Sequence, residues 1–464
     1  MKRTIYIYHT NDIHSHFENW PKIVWFLKLQ RKIHQQRNEK MLLFDIGDFV
    51  DRFHPITEAT KGKANVELLN ELDYDAVTIG NNEGITLSYE DLNELYEKAR
   101  FPVLVANLYK QSGERPKWAQ PYSIIELSNT FKIGVIGLTI HFTKFYELLG
   151  WTIEHPFDVL KEVLTELKPQ VDFIILLSHL GIHEDEQIAE MFTDIDVILG
   201  AHTHHLLPEG KYIRHTLLCG AGKYGEYIGS VKLEIDEQEN EIKKEASVIK
   251  TAELQECQEA KQKLDILFQK SEKLLDETVV ELTEDLELDW FAPSRFPQLL
   301  AEALKEWCDG DIGMVNAGIL LEPLYKGVVT KKDLHRICPH PINPCKVYLR
   351  GDELKEVILQ AATERMKTLQ IKGLGFRGKI MGQMVYEGVQ FETERLSDGL
   401  EHIQHIFING EPIDLEKTYA VATIDMFTFG NLYPEIRRAE RKEYYMPEFL
   451  RDVLAWKLTN LYKI

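Results

Sequence analysis

Asp12 and His14 stand one residue apart, where the apolar run Thr4-Ile5-Tyr6-Ile7-Tyr8-His9-Thr10-Asn11 ends. A carboxylate and an imidazole are both metal-ligand types. In an extended segment residues i and i+2 face the same way, so this pair is expected to grip one ion. Alone the pattern is weak, but it recurs four more times, always at the end of an apolar run. Leu42-Leu43-Phe44-Asp45-Ile46-Gly47 leads to Asp48, with Asp45 expected to be structural and Asp51 to bind Arg52 or a cap. Val77-Thr78-Ile79-Gly80 leads to Asn81, and Ile174-Ile175-Leu176-Leu177-Ser178 leads to His179. Val197-Ile198-Leu199-Gly200-Ala201 leads to His202 and His204, which repeat the first spacing.

These donors sort into two overlapping sets. Asp12, His14, Asp48 and His204 make one; Asp48, Asn81, His179 and His202 make the other, with Asp48 bridging. Imidazole mixed with carboxylate and amide oxygen suits Mn, Zn, Fe or Co better than Mg or Ca. Two dications facing two carboxylates leave a surplus of about two positive charges, which attracts a phosphate and lowers the pKa of a bridging water. The expected chemistry is in-line attack of a metal-bridging hydroxide on phosphorus.

Such loop tips need strands behind them. Strand-like runs over 4–10, 41–46, 75–79, 102–106, 131–138, 171–178 and 195–200 alternate with amphipathic stretches such as Tyr89–Arg100 and Phe157–Leu167. Strand–helix alternation predicts a layered α/β region. Between 252 and 275 the texture changes to one long helix, with Ala260, Leu264, Leu267, Phe268 and Leu275 at helical spacing. Beyond 281, helices are expected over Pro297–Cys308, Asp352–Met366 and 447–462. Strands fill 385–425, with hairpin turns at Asp398-Gly399 and Asn409-Gly410. The chain therefore divides into 1–251, a linker helix within 252–280, and 281–464.

The chain of 464 residues has room for a well-buried core. A formal charge of −20 argues against broad nucleic-acid binding. It does not exclude a small phosphorylated substrate, because metals reverse the sign locally. No apolar run approaches the ~20 residues that span a bilayer, and no signal peptide is read, so a cytoplasmic protein without a membrane partner is expected. Five scattered cysteines without a C-x-x-C pair fit reduced thiols.

Asp-x-His, Gly-Asp, Gly-Asn-x-Glu, Ser-His-Leu-Gly and His-x-His, in this order, resemble the calcineurin-type metallophosphoesterases. With the region that follows, the chain resembles the bacterial 5′-nucleotidase and nucleotide-sugar hydrolase family. The resemblance implies a sandwich of two mixed sheets flanked by helices, then a linker helix and an α+β substrate domain. It also implies a cleft between the domains and a hinge near 252–280.

The chain departs from that pattern at several places. The family's Gly-Asn-His-Glu carries Asn82 at the histidine, and Ile85 replaces the aspartate two residues after the glutamate. The missing imidazole is one that stabilises the transition state or protonates the leaving oxygen. Asn82 remains able to donate to a phosphoryl oxygen, and His16 or His205, which flank ligand motifs, are the preferred replacement acids over His54 and His183. In the second half, Met314-Val315-Asn316-Ala317-Gly318-Ile319-Leu320 is similar to the family's phosphate-anchoring segment, with Leu320 in place of its arginine. Asn316 and Arg377 are the candidate polar contacts, and Phe427 and Phe429 the candidate base-stacking rings. The expected activity is two-metal hydrolysis of nucleotides or related small phosphate esters. The alternatives are a cyclic or nucleotide-sugar phosphodiesterase, or a weakly catalytic sensor of metal or nucleotide.

Overall fold

The structure, a computed structural model, describes residues 2–128, 131–236, 239, 241–395, 397 and 401–462. It divides into two compact units, Met1–Ser271 and Glu272–Ile464.

The first unit is built on two sheets. In one, Lys2–Thr10, Lys40–Asp45, Ala76–Val77, Val103–Leu104 and Ala119–Gln120 run parallel in that spatial order. Tyr227–Asp236 and then Glu241–Lys250 extend it antiparallel beyond Lys2–Thr10. In the other, Phe131–Thr139, Phe173–His179, Val197–Gly200 and Thr216–Cys219 run parallel, with antiparallel edge strands Tyr122–Ser128 and Lys211–Ile213. Ile5, Ile7, Leu42 and Phe44 of the first sheet share one core with Ile133, Val135, Ile175, Leu177 and Leu199 of the second. The other face of the second sheet is covered by Pro156–Leu167 and Ile182–Met191, through Leu160, Val163, Leu164 and Ile188. Strands buried on both faces read as continuous apolar runs, which is why Phe173–His179 stands out in the sequence.

Several strands escape that reading, two of them long. Tyr227–Asp236 alternates apolar and polar residues, and Glu241–Lys250 carries Glu241, Lys243, Lys244 and Glu245 along a sheet edge. Charged side chains on an edge strand block pairing with another chain and dilute its apolar signature.

The helix expected over 252–275 starts later, at Gln258, and runs to Leu275, after a short 3₁₀ turn at Thr251–Glu253. Phe268 packs edge-on near His54, and Lys263 pairs with Glu71.

The second unit has a five-stranded sheet in the order Met384–Glu387, Ile312–Asn316, Thr418–Ile424, Pro344–Arg350, Lys442–Tyr444. Arg295–Trp307, Gly351–Ala361 and Leu450–Leu461 pack apolar residues into its core. The single helix expected over 352–366 is broken. Thr363 leaves helical geometry and its side chain caps a separate turn, Glu364–Lys367. Asn409 and Gly410 both have positive φ and close a tight hairpin with Ile408 opposite Glu411. Asp398-Gly399 lies outside the described residues.

Candidate metal centre

All seven sequence-predicted ligands lie in the first unit, at or just beyond the carboxyl ends of parallel strands. Open α/β sheets bind ligands at that end, because loops from neighbouring strands converge there. Asp12, His14 and His204 place donor atoms within 4.8 Å of one another, and so do Asp12, Asp48 and His179. His14 Nε2 lies 3.1 Å from His204 Nε2 and 3.8 Å from Asp12 Oδ1. Asp48 Oδ2 is 3.5 Å from His14 Nε2 and 3.4 Å from His179 Nε2, and thus sits between the two imidazoles. Asn81 Oδ1 lies 2.9 Å from His202 Nδ1, and the His202 and His179 rings are 5.4 Å apart.

The donor set fits divalent ions. Bonds of 2.0–2.1 Å in a tetrahedron set donors about 3.3 Å apart, close to the spacings found. His179 donates Nδ1–H to the Ile46 carbonyl at 2.7 Å, which turns Nε2 toward Asp48 as a buried atom without a hydrogen bond. His14 Nδ1 lies 3.3 Å from Asp51 Oδ2, so the same logic directs its Nε2 into the cluster.

The backbone that delivers these groups differs from the expected extended segment. Asp12, His14, Asp48, His202 and His204 all have φ between 49° and 71°. For L-residues that left-handed region is sparsely populated, and its use clusters at functional sites. The two i, i+2 pairs therefore converge through turns, not through strand alternation. The turns are held from outside. Asp12, His14 and Ser15 donate their backbone N–H to the carbonyls of Gly47, Asp48 and Phe49, zipping two ligand loops together. Gly80 is required between them. A Cβ there meets Asp48 Oδ1 at 2.1 Å and His179 Nε2 at 2.5 Å.

Three side chains outside the predicted ligand set support it. Glu83 accepts backbone N–H from Asp48, Val50 and Gly80 at 2.8–3.0 Å and ties the second and third motifs together. Asn11 donates to Asp12 Oδ2 and to the Gly222 carbonyl, both at 2.8 Å. Asp51 stands beside His14 and its carboxylate also accepts the Phe53 backbone N–H at 3.1 Å, the local cap expected of it, while Arg52 pairs with Glu58 at 2.8 Å. The glutamate was visible in Gly-Asn-x-Glu; the other two carry no spacing signal. Asp45 accepts from Thr10 and the Gly47 N–H inside the core, a structural position.

Electrostatics divide the cluster. Burial lowers the His179 imidazole, but the Asp48 and Asp12 carboxylates outweigh it and push it up to about 10. Burial raises Asp48, but His179 and His14 outweigh it and hold the carboxyl far below its usual range. Burial and the His179 charge push His202 down to about 4. Burial, His14 and Lys223 push His204 down to about 3.

The other sequence-predicted site residues are placed as follows. Asn82 donates its amide to Asp48 Oδ2 at 2.8 Å and its backbone N–H to Asp48 Oδ1 at 2.7 Å. His16 is partly exposed and packs at a tilt against Tyr224, ring centroids 3.8 Å apart, and against Phe53 at 4.8 Å. His205 packs over Gly200 and Gly220 beside Thr203, with its Nε2 buried. In the second unit, Asn316 is fully buried and donates to the Met381 carbonyl. The Arg377 backbone N–H donates to His340 Nδ1, and its side chain is half-buried. Phe427 is fully buried in the core, edge-on to Tyr433, so its faces are covered. Phe429 is half-buried.

A two-sheet sandwich with this donor cluster at its strand ends, followed by an α+β unit, defines a metallophosphoesterase of the 5′-nucleotidase type. The calcineurin-like phosphoesterase family matches residues 5–206, and the 5′-nucleotidase C-terminal domain matches residues 278–432. The chain belongs to this family, and it is a hydrolase. It is 54% identical over 462 residues to the uncharacterized metallophosphoesterase YunD of Bacillus subtilis, covering 99% of this chain and 100% of that protein. It is 25% identical over 410 residues to the 5′-nucleotidase of Bos taurus, covering 75% of this chain and 70% of that one. The structure of the Haemophilus influenzae NAD nucleotidase shares the fold, with a TM-score of 0.68 at 19% identity, covering 99% of this chain and 97% of that one.

Proposed function

We propose that this protein hydrolyses phosphate esters of nucleotides or related small molecules at a centre held by Asp12, His14, Asp48, Asn81, His179, His202 and His204. The observation that carries the reading is the position of Asp48 Oδ2, within 3.5 Å of both His14 Nε2 and His179 Nε2. Two divalent ions bound there supply Lewis acidity and a water acidic enough to attack phosphorus near neutral pH. The mixed imidazole, carboxylate and amide donors favour Mn²⁺, Zn²⁺, Fe²⁺ or Co²⁺. The nucleotide preference is supported by the relatives named above as nucleotidases. The five free cysteines support a reducing, cytoplasmic setting.

The chain's own residues have separable tasks. Asn82 and Glu83 position Asp48 and its loop. His16 is the proposed proton donor to the leaving oxygen. Its support is partial exposure and a close ring contact with Tyr224, whose ring stands 5.9 Å from that of His14. The buried Nε2 and neighbours of His205 argue for a packing role instead.

Turnover of AMP, p-nitrophenyl phosphate and bis(p-nitrophenyl) phosphate with Mn²⁺ tests this. Hydrolysis is expected in the wild type and lost in Asp48→Ala together with bound metal. Rates no higher than the Asp48→Ala background on all three overturn the reading. His16→Ala is expected to slow hydrolysis of AMP, whose adenosine leaving group is poor, by about 10²-fold or more and that of p-nitrophenyl phosphate far less. Equal effects on both remove His16 from the acid role.

A further inference from the structure

We infer that Lys223 is a substrate-binding residue of this centre, held on the Tyr224 ring so that its ammonium meets a dianionic phosphoryl group and favours monoesters over diesters. The inference rests on the phosphoesterase reading above.

The segment that carries it is anchored to the metal-ligand loop. Tyr224 donates its backbone N–H to the Asp12 carbonyl at 2.8 Å, and Asn19 donates to the Tyr224 carbonyl at 3.3 Å. The Asn11 amide that holds Asp12 Oδ2 also holds the Gly222 carbonyl. Gly222, Tyr224 and Gly225 all have φ between 58° and 70°. Glycine enters that region freely, whereas a bulky aromatic residue does so only when its surroundings impose it. The turn therefore fixes where the Tyr224 ring stands. That ring lies 5.9 Å from His14, 6.5 Å from His204 and 3.8 Å from His16, on the His14/His204 side of the centre.

Lys223 Nζ lies 4.5 Å from the Tyr224 ring centroid, a cation–π contact that limits where the long side chain points. Among the described residues no carboxylate pairs with it, in a chain where acidic residues outnumber basic ones by 74 to 54. An ammonium without a carboxylate, beside a centre that binds dications, gains most when an anion binds between them. A monoester carries two phosphoryl charges and a diester one, so a fixed ammonium discriminates between them by charge.

The test uses the full-length Mn-loaded protein. Lys223→Met is expected to raise KM for p-nitrophenyl phosphate about tenfold with little change in kcat, and to alter bis(p-nitrophenyl) phosphate KM far less. Lys223→Arg restores most of the loss. Calorimetric binding of inorganic phosphate is expected to weaken about tenfold in Lys223→Met and to recover in Lys223→Arg. Unchanged phosphate affinity in Lys223→Met overturns the inference, as does an equal rise in KM for both esters. A wild type that binds phosphate but turns over no ester sinks the hydrolase reading alone, and the phosphate titration still decides on Lys223.

Discussion

The Asn82 amide and the Asn82 backbone N–H grip opposite oxygens of the Asp48 carboxylate, at 2.8 and 2.7 Å. A residue expected to face substrate thus orients the ligand that stands between two imidazoles. Groups that orient metal ligands typically contribute 10–100-fold in metal affinity or activity. Asn82→Ala is therefore expected to weaken Mn²⁺ binding by roughly 10–100-fold, with kcat near wild type once metal is saturating. Activity measured against Mn²⁺ concentration checks this. A lost kcat at saturating metal with unchanged affinity would return Asn82 to the substrate.

Gly80 makes a sharper case. A single methyl at this position overlaps both Asp48 Oδ1 and His179 Nε2. Misplacing catalytic groups by about 1 Å can cost 10²-fold in rate. Gly80→Ala is expected to lower bound Mn²⁺ and to reduce turnover by about 10²-fold or more while circular dichroism stays native. Full metal content in this variant would contradict the geometry.

Glu83 holds three backbone donors with one carboxylate in a buried setting. Each donor left unsatisfied costs about 1–3 kcal/mol. Glu83→Ala is expected to lose at least about 3 kcal/mol of unfolding free energy in metal-free protein. Urea denaturation in EDTA measures it, and a loss near zero would mean water replaces the carboxylate.

A pH dependence is expected in the second unit. Burial pushes the Asp425 carboxyl up to about 7, and backbone hydrogen bonds from Asn343 and Met426 offset it only in part. The folded protein then holds a proton that the unfolded chain, with an ordinary carboxyl near 4, gives up. Stability from this group is present below about pH 4 and is lost as pH rises to about 7. Comparing urea midpoints from pH 4 to 8, wild type should lose ground against Asp425→Asn as pH rises. Parallel curves for the two proteins would refute the assignment.

How much of this was readable beforehand follows from what each residue depends on. His179 and Asp48 end apolar runs, so local patterning revealed both the strand and the donor. Asp51 and Asn11 act through contacts with His14, Asp12 and Gly222 that exist only once separate loops are zipped together. No spacing along the chain encodes such contacts. The left-handed turns at Asp12 and His202 were equally hidden, because those residue types carry no glycine signature. Glu241–Lys250 was missed for the opposite reason: its edge position calls for charges that mask a strand. Phe427, expected as a base-stacking ring, went the other way: an aromatic residue at a strand end suits a core as well as a ligand, and here the core has it.

The left-handed ligand turns set a limit on improvement by selection for robustness. At Asp12, Asp48 and His202, glycine would relax the main chain and abolish the donor in the same step. Variants chosen for heat tolerance alone are therefore expected to drift toward stable but inactive sequences at these positions, so durability and catalysis have to be selected together.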